Sequence, residues 1–215
     1  MPYATEFGFF LNVPRFCASF FQLGQPSGPA SCLKFALYLW AIRLSSGPGV
    51  QLLEKSYVER AIQEAAVALS GNHPQKVMHS IQAEVLLAVY FFSLGRSIEG
   101  KFHVANAVAT ALSAGLHKIR SAGFAFSSDV VPPPSDAIEE GERILAAWTV
   151  FNLDKSWAVA LDSPPNFQHQ SKSPAMHIDT PWPLETEEFE QVNTFPRVST
   201  LLRVIADILS IGSPP

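Results

Sequence analysis

The clearest pattern in the chain is a run of apolar side chains between residues 75 and 94. The second half of this stretch reads VLLAVYFFSL, and its apolar side chains would cover every face of a helix. A helix that is apolar on all sides is buried on all sides. The pattern therefore predicts a helix over 75–94 at the centre of the fold, with Gly95 as its C-terminal cap.

Periodicity and stop signals predict five further helices. They cover residues 31–44, 52–69, 98–114, 136–161 and about 198–209. In the helix over 98–114 an apolar stripe falls at helical spacing and predicts the buried face: Phe102, Ala105, Val108, Ala109 and Leu112. Asp136 and Glu139 have the spacing of a capping box at a helix start. Strand signals are weak, so we expect an all-α fold of about six helices packed around a central apolar helix, with long proline-rich loops.

The pattern also divides the chain into two parts. Residues 1–29 are rich in phenylalanine and are interrupted by Pro14, Pro26 and Pro29. We expect an irregular aromatic segment that lies extended across a helical body and buries its rings there. Residues 30–211 are expected to form the helical domain, and we expect that domain to be incomplete at its C-terminal end.

Charge is scarce in this sequence. Charged residues make up 16% of the chain and hydrophobic residues 47%, whereas soluble domains average roughly 25% charged residues. We therefore expect apolar faces that meet missing parts of the chain, a second copy or a protein partner. The formal net charge is −4 and there is no run of Lys or Arg. A protein that grips DNA phosphates needs clustered cations, so the composition argues against direct DNA binding by these residues.

No motif in the chain predicts catalysis or metal binding. Gly95 to Lys101 match GxxxxGK, but a predicted helix precedes the motif, and Phe102 stands where a phosphate loop needs Ser or Thr to hold magnesium. We expect a helix-turn-helix junction with glycines for a tight turn. The six histidines lack the i, i+4 spacing of helical zinc sites, and His79 and His103 are expected on polar faces or caps. Glu139 and Glu140 are expected to be solvated.

The remaining sequence features point to a soluble intracellular protein without metal. Cys17 and Cys32 are expected to be free thiols, because no Cys-x-x-Cys pair is present. No secretory signal is visible, and the apolar run 35–42 is too short to span a bilayer, which takes about 20 residues. There is no GxSxG element for nucleophilic catalysis. We expect no catalytic, cofactor-binding or metal-binding residue in this chain.

Three segments, taken in order, resemble the fungal-specific transcription factor domain, also called the middle homology region or xylanolytic activator regulatory domain. Residues 82–118 resemble its apolar helix, turn and second helix ending in Gly-Leu-His. Residues 142–167 resemble the family's next helix, with Arg143, Trp148, Asp154 and Lys155 in the family's order. Residues 178–183, IDTPWP, resemble the Ile-Asp-x-Pro-x-Pro step that follows. The sequence departs from the family with Lys155 where an Arg is usual, and with Asp162-Ser163-Pro164 where Gly-Arg-Pro is common.

The resemblance implies the regulatory domain of a nuclear transcription factor. In relatives a separate N-terminal cluster of six cysteines binds zinc and DNA, and this chain lacks those cysteines. The resemblance thus implies DNA contact only through an absent module, transcriptional co-regulators as possible partners, and no membrane. This chain would then hold no zinc, because its relatives bind that metal elsewhere.

Four residues of the helix over 136–161 are the candidates for a site. Arg143 and Asp154 are eleven positions apart, which places them on one side of the helix. Trp148 and Trp157 are nine apart and roughly perpendicular around the axis. Two interpretations are open: packing and ion pairing that hold this helix to its neighbours, or a pocket beside the two tryptophans that senses a metabolite.

Two other classes of protein remain as alternatives. An all-α interaction scaffold unrelated to transcription would show helices of equal length in a repeating pattern, and the predicted helices differ in length and character. An all-α enzyme would bring polar groups with shifted pKa values together in a cleft, and the sequence offers no such cluster.

Overall fold

The computed structural model describes residues 7–21, 28–119, 131–168 and 177–183. Within these residues the chain forms seven α-helices and no β-strand, so the predicted all-α class is confirmed. The helices are α1 (Val13–Phe21), α2 (Ser31–Leu44), α3 (Pro48–Gln51), α4 (Glu54–Val67), α5 (Lys76–Ser93), α6 (Ser97–Ser113) and α7 (Ala137–Ala160). The helix predicted over 198–209 lies outside the described residues.

Helix α5 carries the long apolar run, and 14 of its 18 residues are buried. It packs against α2, α4, α6 and α7. Its end is set by Gly95, which has a φ of 70°. The Gly95 amide donates to the Phe92 carbonyl at 3.0 Å and the Arg96 amide donates to the Phe91 carbonyl at 2.9 Å. These two bonds form a Schellman cap, which satisfies the last carbonyls of the helix.

The buried face of α6 differs from the predicted one. The core side consists of Gly100, His103, Val104, Ala107, Val108 and Ala111. Phe102 is 59% exposed, and Ala109 is exposed as well. The prediction of a buried stripe through Phe102 and Ala109 was therefore wrong. Gly100 lies against the Phe92 ring of α5, where a β-carbon would come within 2.5 Å of that ring, so the missing side chain lets the two helices approach closely.

The N-terminal segment is not irregular throughout, because Val13–Phe21 form α1. Pro14 does not interrupt this helix, since proline is tolerated in the first turn, where its missing N–H would have no helical partner. The aromatic side chains behave as expected: Phe9, Phe10 and Phe16 are buried in the core. The expectation of irregular structure over 1–29 was therefore wrong for α1.

Gly100 is part of α6 and not of a turn, contrary to the prediction for the GxxxxGK match. Helix α5 precedes the motif and only Gly95 has the positive φ of a turn glycine. A phosphate loop requires a strand before the glycine-rich turn. The motif is thus a junction between two helices. Among the described residues, no helix has the length and apolar character that a bilayer crossing requires.

Candidate functional site

The Gly115-Leu116-His117 turn and the segment 178–183 meet in the structure. Gly115 has a φ of 71°, which ends α6 and turns the chain back. The Asp179 amide donates to the His117 carbonyl at 2.8 Å. The Thr180 hydroxyl donates to the Leu116 carbonyl. We call residues 178–183 the strap, because they are tied across the end of α6 by these bonds.

The strap is also held by Trp148 of α7. The indole Nε1–H of Trp148 donates to the Pro181 carbonyl at 2.6 Å. The rings of Trp148 and Trp182 stack with their centroids 4.1 Å apart and their planes at 13°. Trp182 nevertheless remains 77% exposed. Trp148 thus holds the strap against α7 through one hydrogen bond and one ring stack.

Asp154 fixes the loop that follows α7. Its side chain is 2% exposed. One carboxylate oxygen, Oδ1, accepts from the backbone amide of Asn166 at 2.9 Å and from its side-chain Nδ2 at 2.7 Å. The other, Oδ2, accepts from the Phe167 amide at 2.9 Å. The Lys155 ammonium lies 4.0 Å from Oδ2 and donates to the Phe167 carbonyl. The hydrogen bonds that the buried carboxylate accepts therefore come from residues of one loop.

Arg143 lies at the other end of α7 and is 1% exposed. Its Nη2 donates to Glu139 Oε1 at 2.7 Å. The other oxygen of Glu139 accepts from the Ser135 amide at 2.8 Å and from its hydroxyl at 2.7 Å. Burial raises the pKa of Glu139, but the hydrogen bonds from Ser135 and the nearby Arg143 outweigh it and leave this pKa below its usual range. Glu139 was expected to be solvated, and that expectation was wrong.

The start of α7 confirms the predicted capping arrangement in part. Asp136 is the N-cap, and its Oδ1 accepts from the Glu139 amide at 2.8 Å. In a standard capping box the glutamate returns a bond to the amide of the cap residue. Here Glu139 bonds to Ser135, one residue earlier, and so ties the loop before α7 to the helix.

Trp157 has a different environment from Trp148. Its ring stacks on Phe92 at the end of α5, with the centroids 3.6 Å apart and the planes at 9°. It also lines a small cavity with Asp154, together with Lys101, Val104, Ala158, Ser163, Pro164 and Asn166. Trp148 does not line this cavity, so the structure does not bring the two tryptophans to one pocket there.

The size of that cavity limits what it can hold. Its volume is about 10 Å³, which is room for about one water molecule. Pockets that bind metabolites or drugs have volumes of about 300–1,000 Å³. A metabolite would therefore require α6, α7 and the loop at 163–167 to move apart.

The sequence analysis missed a buried acid–base pair between α5 and α6. His103 Nδ1 lies 2.6 Å from Glu84 Oε2, and both side chains are almost fully buried. The His103 ring stacks on Phe91 with the planes at 3°. His103 was expected on a polar face, and that expectation was wrong. Positions 84 and 103 belong to different helices, so no local spacing could have signalled the pair.

His79 was expected on a polar face or at a cap; it is buried, so the polar face was wrong, and it binds the backbone at the start of α2. Its Nδ1 accepts from the Ala30 amide at 3.2 Å. Its neighbour His73 contacts the Gly28 carbonyl through Nε2 at 2.6 Å. Burial, together with the smaller effects of the His73 and Lys34 charges, lowers the pKa of His79 to about 3. The side chain is therefore neutral at physiological pH, as acceptance of the Ala30 N–H requires.

The residues of this chain do not fit a six-cysteine zinc cluster. The sequence contains two cysteines, and Cys17 on α1 and Cys32 on α2 are free thiols. Burial raises the pKa of Cys32 to about 11, which disfavours the thiolate that zinc requires. Across the described ranges, no group of three His, Cys, Asp or Glu side chains is placed to hold a metal ion.

Most of the described Lys and Arg side chains are engaged with carboxylates of the same chain. The pairs are Arg15–Asp136, Arg43–Glu54, Arg60–Glu64, Arg96–Glu99, Lys118–Asp179, Arg143–Glu139 and Lys155–Asp154. Several of these cations are on the surface. A cation already paired with a carboxylate contributes less to the release of counterions from DNA than a free one.

Comparisons with known proteins give one match. The model of a family described as the fungal specific transcription factor domain matches residues 25–213. No curated protein and no solved structure matches the chain. The matched range includes the strap, α7 and the loop that follows α7.

Proposed function

The chain belongs to the fungal-specific transcription factor domain family, and from that premise we propose that it is a regulatory domain that controls transcription without contacting DNA itself. The family is one of transcription factor domains and not of enzymes. DNA and zinc are then bound by a separate module with six cysteines, and the protein acts in the nucleus. Neither a catalytic residue nor a cofactor is assigned to this chain.

The observation that carries the proposal is the pairing of surface cations within the chain. Arg15, Arg60 and Arg96 each form an ion pair with a carboxylate of the chain, at 2.9, 2.6 and 2.7 Å. The formal net charge of −4 adds general repulsion from DNA. Contacts with proteins suit the composition better, because the exposed face of α6 carries Ile98 and Phe102, which are 82% and 59% exposed.

We also propose that the four candidate residues of α7 act structurally. Arg143 supports the start of the helix, Trp148 holds the strap, Asp154 fixes the following loop, and Trp157 packs on α5. The small volume of the cavity beside Trp157 supports this reading over a metabolite pocket. The contacts of Trp148, Asp154 and Trp157 join segments at least 12 positions apart, which suits residues that define a family's fold.

A reporter assay tests the regulatory role. The chain would be fused to an unrelated DNA-binding module and expressed in a fungal host that carries a reporter gene under sites for that module. Output is expected to change at least threefold relative to the module alone, in either direction, at equal protein levels. Unchanged output from a folded fusion would contradict the proposal and favour a scaffold unrelated to transcription.

A binding assay tests the absence of DNA contact. The purified chain would be titrated onto mixed-sequence duplex DNA at about 50 mM salt, where non-specific binding is strongest. No shift is expected up to micromolar protein. Binding that weakens steeply when salt is raised to about 200 mM would show phosphate contacts and would contradict the proposal.

A further inference from the structure

Residues 7–21 precede the family match, which begins at residue 25, yet they occupy a groove on the helical body. The buried side chains of this segment are Phe9, Phe10, Leu11, Val13 and Phe16. We call residues 7–21 the N-terminal segment, and we call the part of the fold from α2 to α7 the body. How the body holds this segment indicates what kind of ligand the groove is built for.

Gln82 of α5 binds the backbone of the segment with both ends of its amide group. Its Nε2 donates to the Gly8 carbonyl at 3.0 Å and its Oε1 accepts from the Phe10 amide at 2.8 Å. Gln82 is 0% exposed. A side-chain amide used in this way offers one donor and one acceptor to the backbone of a bound peptide.

The structure also restricts which residue can occupy position 8, beside Gln82. Gly8 has a φ of 71°, and a β-carbon placed on it would lie 2.7 Å from Val85 Cγ1. Both the backbone conformation and the space therefore require glycine at this position. Phe7, the residue before it, packs on Trp40 with the ring centroids 4.6 Å apart.

Two carboxylates of α7 and its cap bind the rest of the segment. Glu142 Oε1 accepts from the Asn12 amide at 2.7 Å. Asp136 accepts two bonds from Arg15 Nη1, at 3.0 and 2.9 Å. In the described part of the chain, the hydrogen bonds from the body to this segment come from side chains, and none comes from the body's backbone.

We propose that the body carries a peptide-binding groove centred on Gln82, and that the N-terminal segment fills it as a separable ligand. The ligand class is a Phe-Gly-Phe-Phe segment with its glycine in the left-handed conformation, followed by a short helix with a basic residue. The body's backbone completes its own helices without the segment, as expected for a groove and its peptide. A partner protein with a segment of the same pattern would compete for this groove. This inference does not depend on the proposed role in transcription.

The test uses the full chain with a protease recognition sequence in place of residues 22–27, between α1 and α2. After cleavage, a fluorescein-labelled peptide of residues 7–21 is added and its anisotropy is followed. We expect the cleaved protein to stay helical and to bind the labelled peptide. The uncut protein is expected to bind it at least 100-fold more weakly, because the tethered segment competes at millimolar effective concentration.

Variants of the peptide keep the test independent of folding, because they leave the body unchanged. Gly8→Val and Phe10→Ala in the peptide are each expected to weaken binding at least tenfold. In the body, Gln82→Met preserves the size of the side chain but removes both backbone contacts, and a tenfold loss is expected. Gln63→Met, on the exposed side of α4, is the matched control and should have no effect.

Several outcomes would overturn the proposal. Unfolding of the cleaved protein would show that the segment is an inseparable part of the core. A folded cleaved protein that does not take up the peptide, or a Gly8→Val peptide that binds as well as the original, would do the same. A dimer of the uncut chain that becomes monomeric on cleavage would assign the groove to the segment of a second copy.

Discussion

The ring of Phe92 occupies the space in which a side chain on Gly100 would begin. A β-carbon at position 100 would lie 2.5 Å from Phe92 Cδ1, well inside van der Waals contact. The same ring stacks on Trp157 of α7. The ring thus contacts both α6 and α7, and a shift away from position 100 would disturb its stack on Trp157.

Gly100→Ala should therefore destabilise the protein. Overpacking of this kind costs about 1–3 kcal/mol, and it should outweigh the gain of about 1 kcal/mol that alanine brings to a helix interior. Urea unfolding followed by circular dichroism would measure the change. Gly49→Ala is the control, because no atom lies within 4 Å of its β-carbon position, and it should leave stability unchanged or raise it slightly.

Asp154→Asn should release the loop after α7. The variant keeps one acceptor but turns an NH₂ group toward the donors of Asn166 or Phe167, and a buried donor left without an acceptor costs about 1–3 kcal/mol. The free energy of unfolding should fall by that amount. Hydrogen exchange at the Phe167 amide should accelerate as well. Asp179→Asn, at an exposed position, should change stability by less than about 0.5 kcal/mol, and an equal loss in both variants would refute a special role for Asp154.

A double-mutant cycle would measure the Glu84–His103 pair. Glu84→Leu and His103→Leu should each destabilise the protein by about 1–3 kcal/mol, because each removes the close partner of a buried polar group. Without His103, Glu84 would keep, among the described residues, only its 3.5 Å contact with the Asn106 amide group. The double variant should be more stable than the sum of the single effects implies, with a coupling of about 0.5–3 kcal/mol. Strict additivity would show that the 2.6 Å contact contributes nothing to folding.

Phe102 and Val104 are close together on α6 but differ in burial, so substitutions at the two positions should differ in their effect on stability. Phe102→Gln should change stability by less than about 0.5 kcal/mol, because the ring is mostly in solvent. Val104→Ala should cost about 2 kcal/mol, because Val104 is 2% exposed and the change removes two buried carbon groups and leaves a cavity. Thermal unfolding would compare the two variants. A larger loss of stability for Phe102→Gln than for Val104→Ala would support the buried stripe predicted from the sequence.

His79 should make the protein sensitive to mild acid. Its folded pKa of about 3 lies below the ordinary value of 6.5, mainly because of burial and also because of His73 and Lys34. As pH falls below 6.5 the unfolded chain gains a proton that the folded one does not, so stability is lost between about pH 6.5 and pH 3. The full loss would approach about 5 kcal/mol.

The comparison that isolates this effect is His79→Gln. Glutamine can still accept from the Ala30 amide but does not titrate, so the variant should lose less stability than the unmodified protein between pH 6.5 and pH 4. Denaturant unfolding at several pH values would show the difference. Parallel curves for the two proteins would mean that His79 does not contribute to the acid response.

Helices α2, α4, α5, α6 and α7 could be predicted from the sequence because their signals are local. Glycines ended α5 and α6 where the pattern placed them, and Asp136 capped α7. The inner face of α6 could not be predicted, because hydrophobic periodicity assumes that large side chains face the core. Here the small residues Gly100, Ala107 and Ala111 are buried, and Gly100 lies directly against Phe92 of α5.

The candidate site was predictable in its residues but not in its contacts. Trp148 and Asp154 were singled out by resemblance, whereas their partners, Pro181 and the loop at 166–167, depend on tertiary folding. Glu84 and His103 lie on two helices that are joined by a tight turn. The sequence of neither helix alone therefore indicates that the two residues pair. Helix α1 was missed because three prolines within residues 1–29 outweighed a short helical pattern.

The strap brings together two points of the chain that are far apart in sequence. The Ile119 amide donates to the Thr180 hydroxyl at 3.4 Å, a contact that joins positions 61 residues apart. The part of the chain between these two residues, which contains α7, thus begins and ends at the same place in the fold. Segments whose two ends coincide in space can lengthen or shorten without moving their surroundings, as circular permutation and domain insertion exploit. We expect evolutionary insertions in this family to accumulate between residues 119 and 180, while the contact between these two positions keeps its geometry.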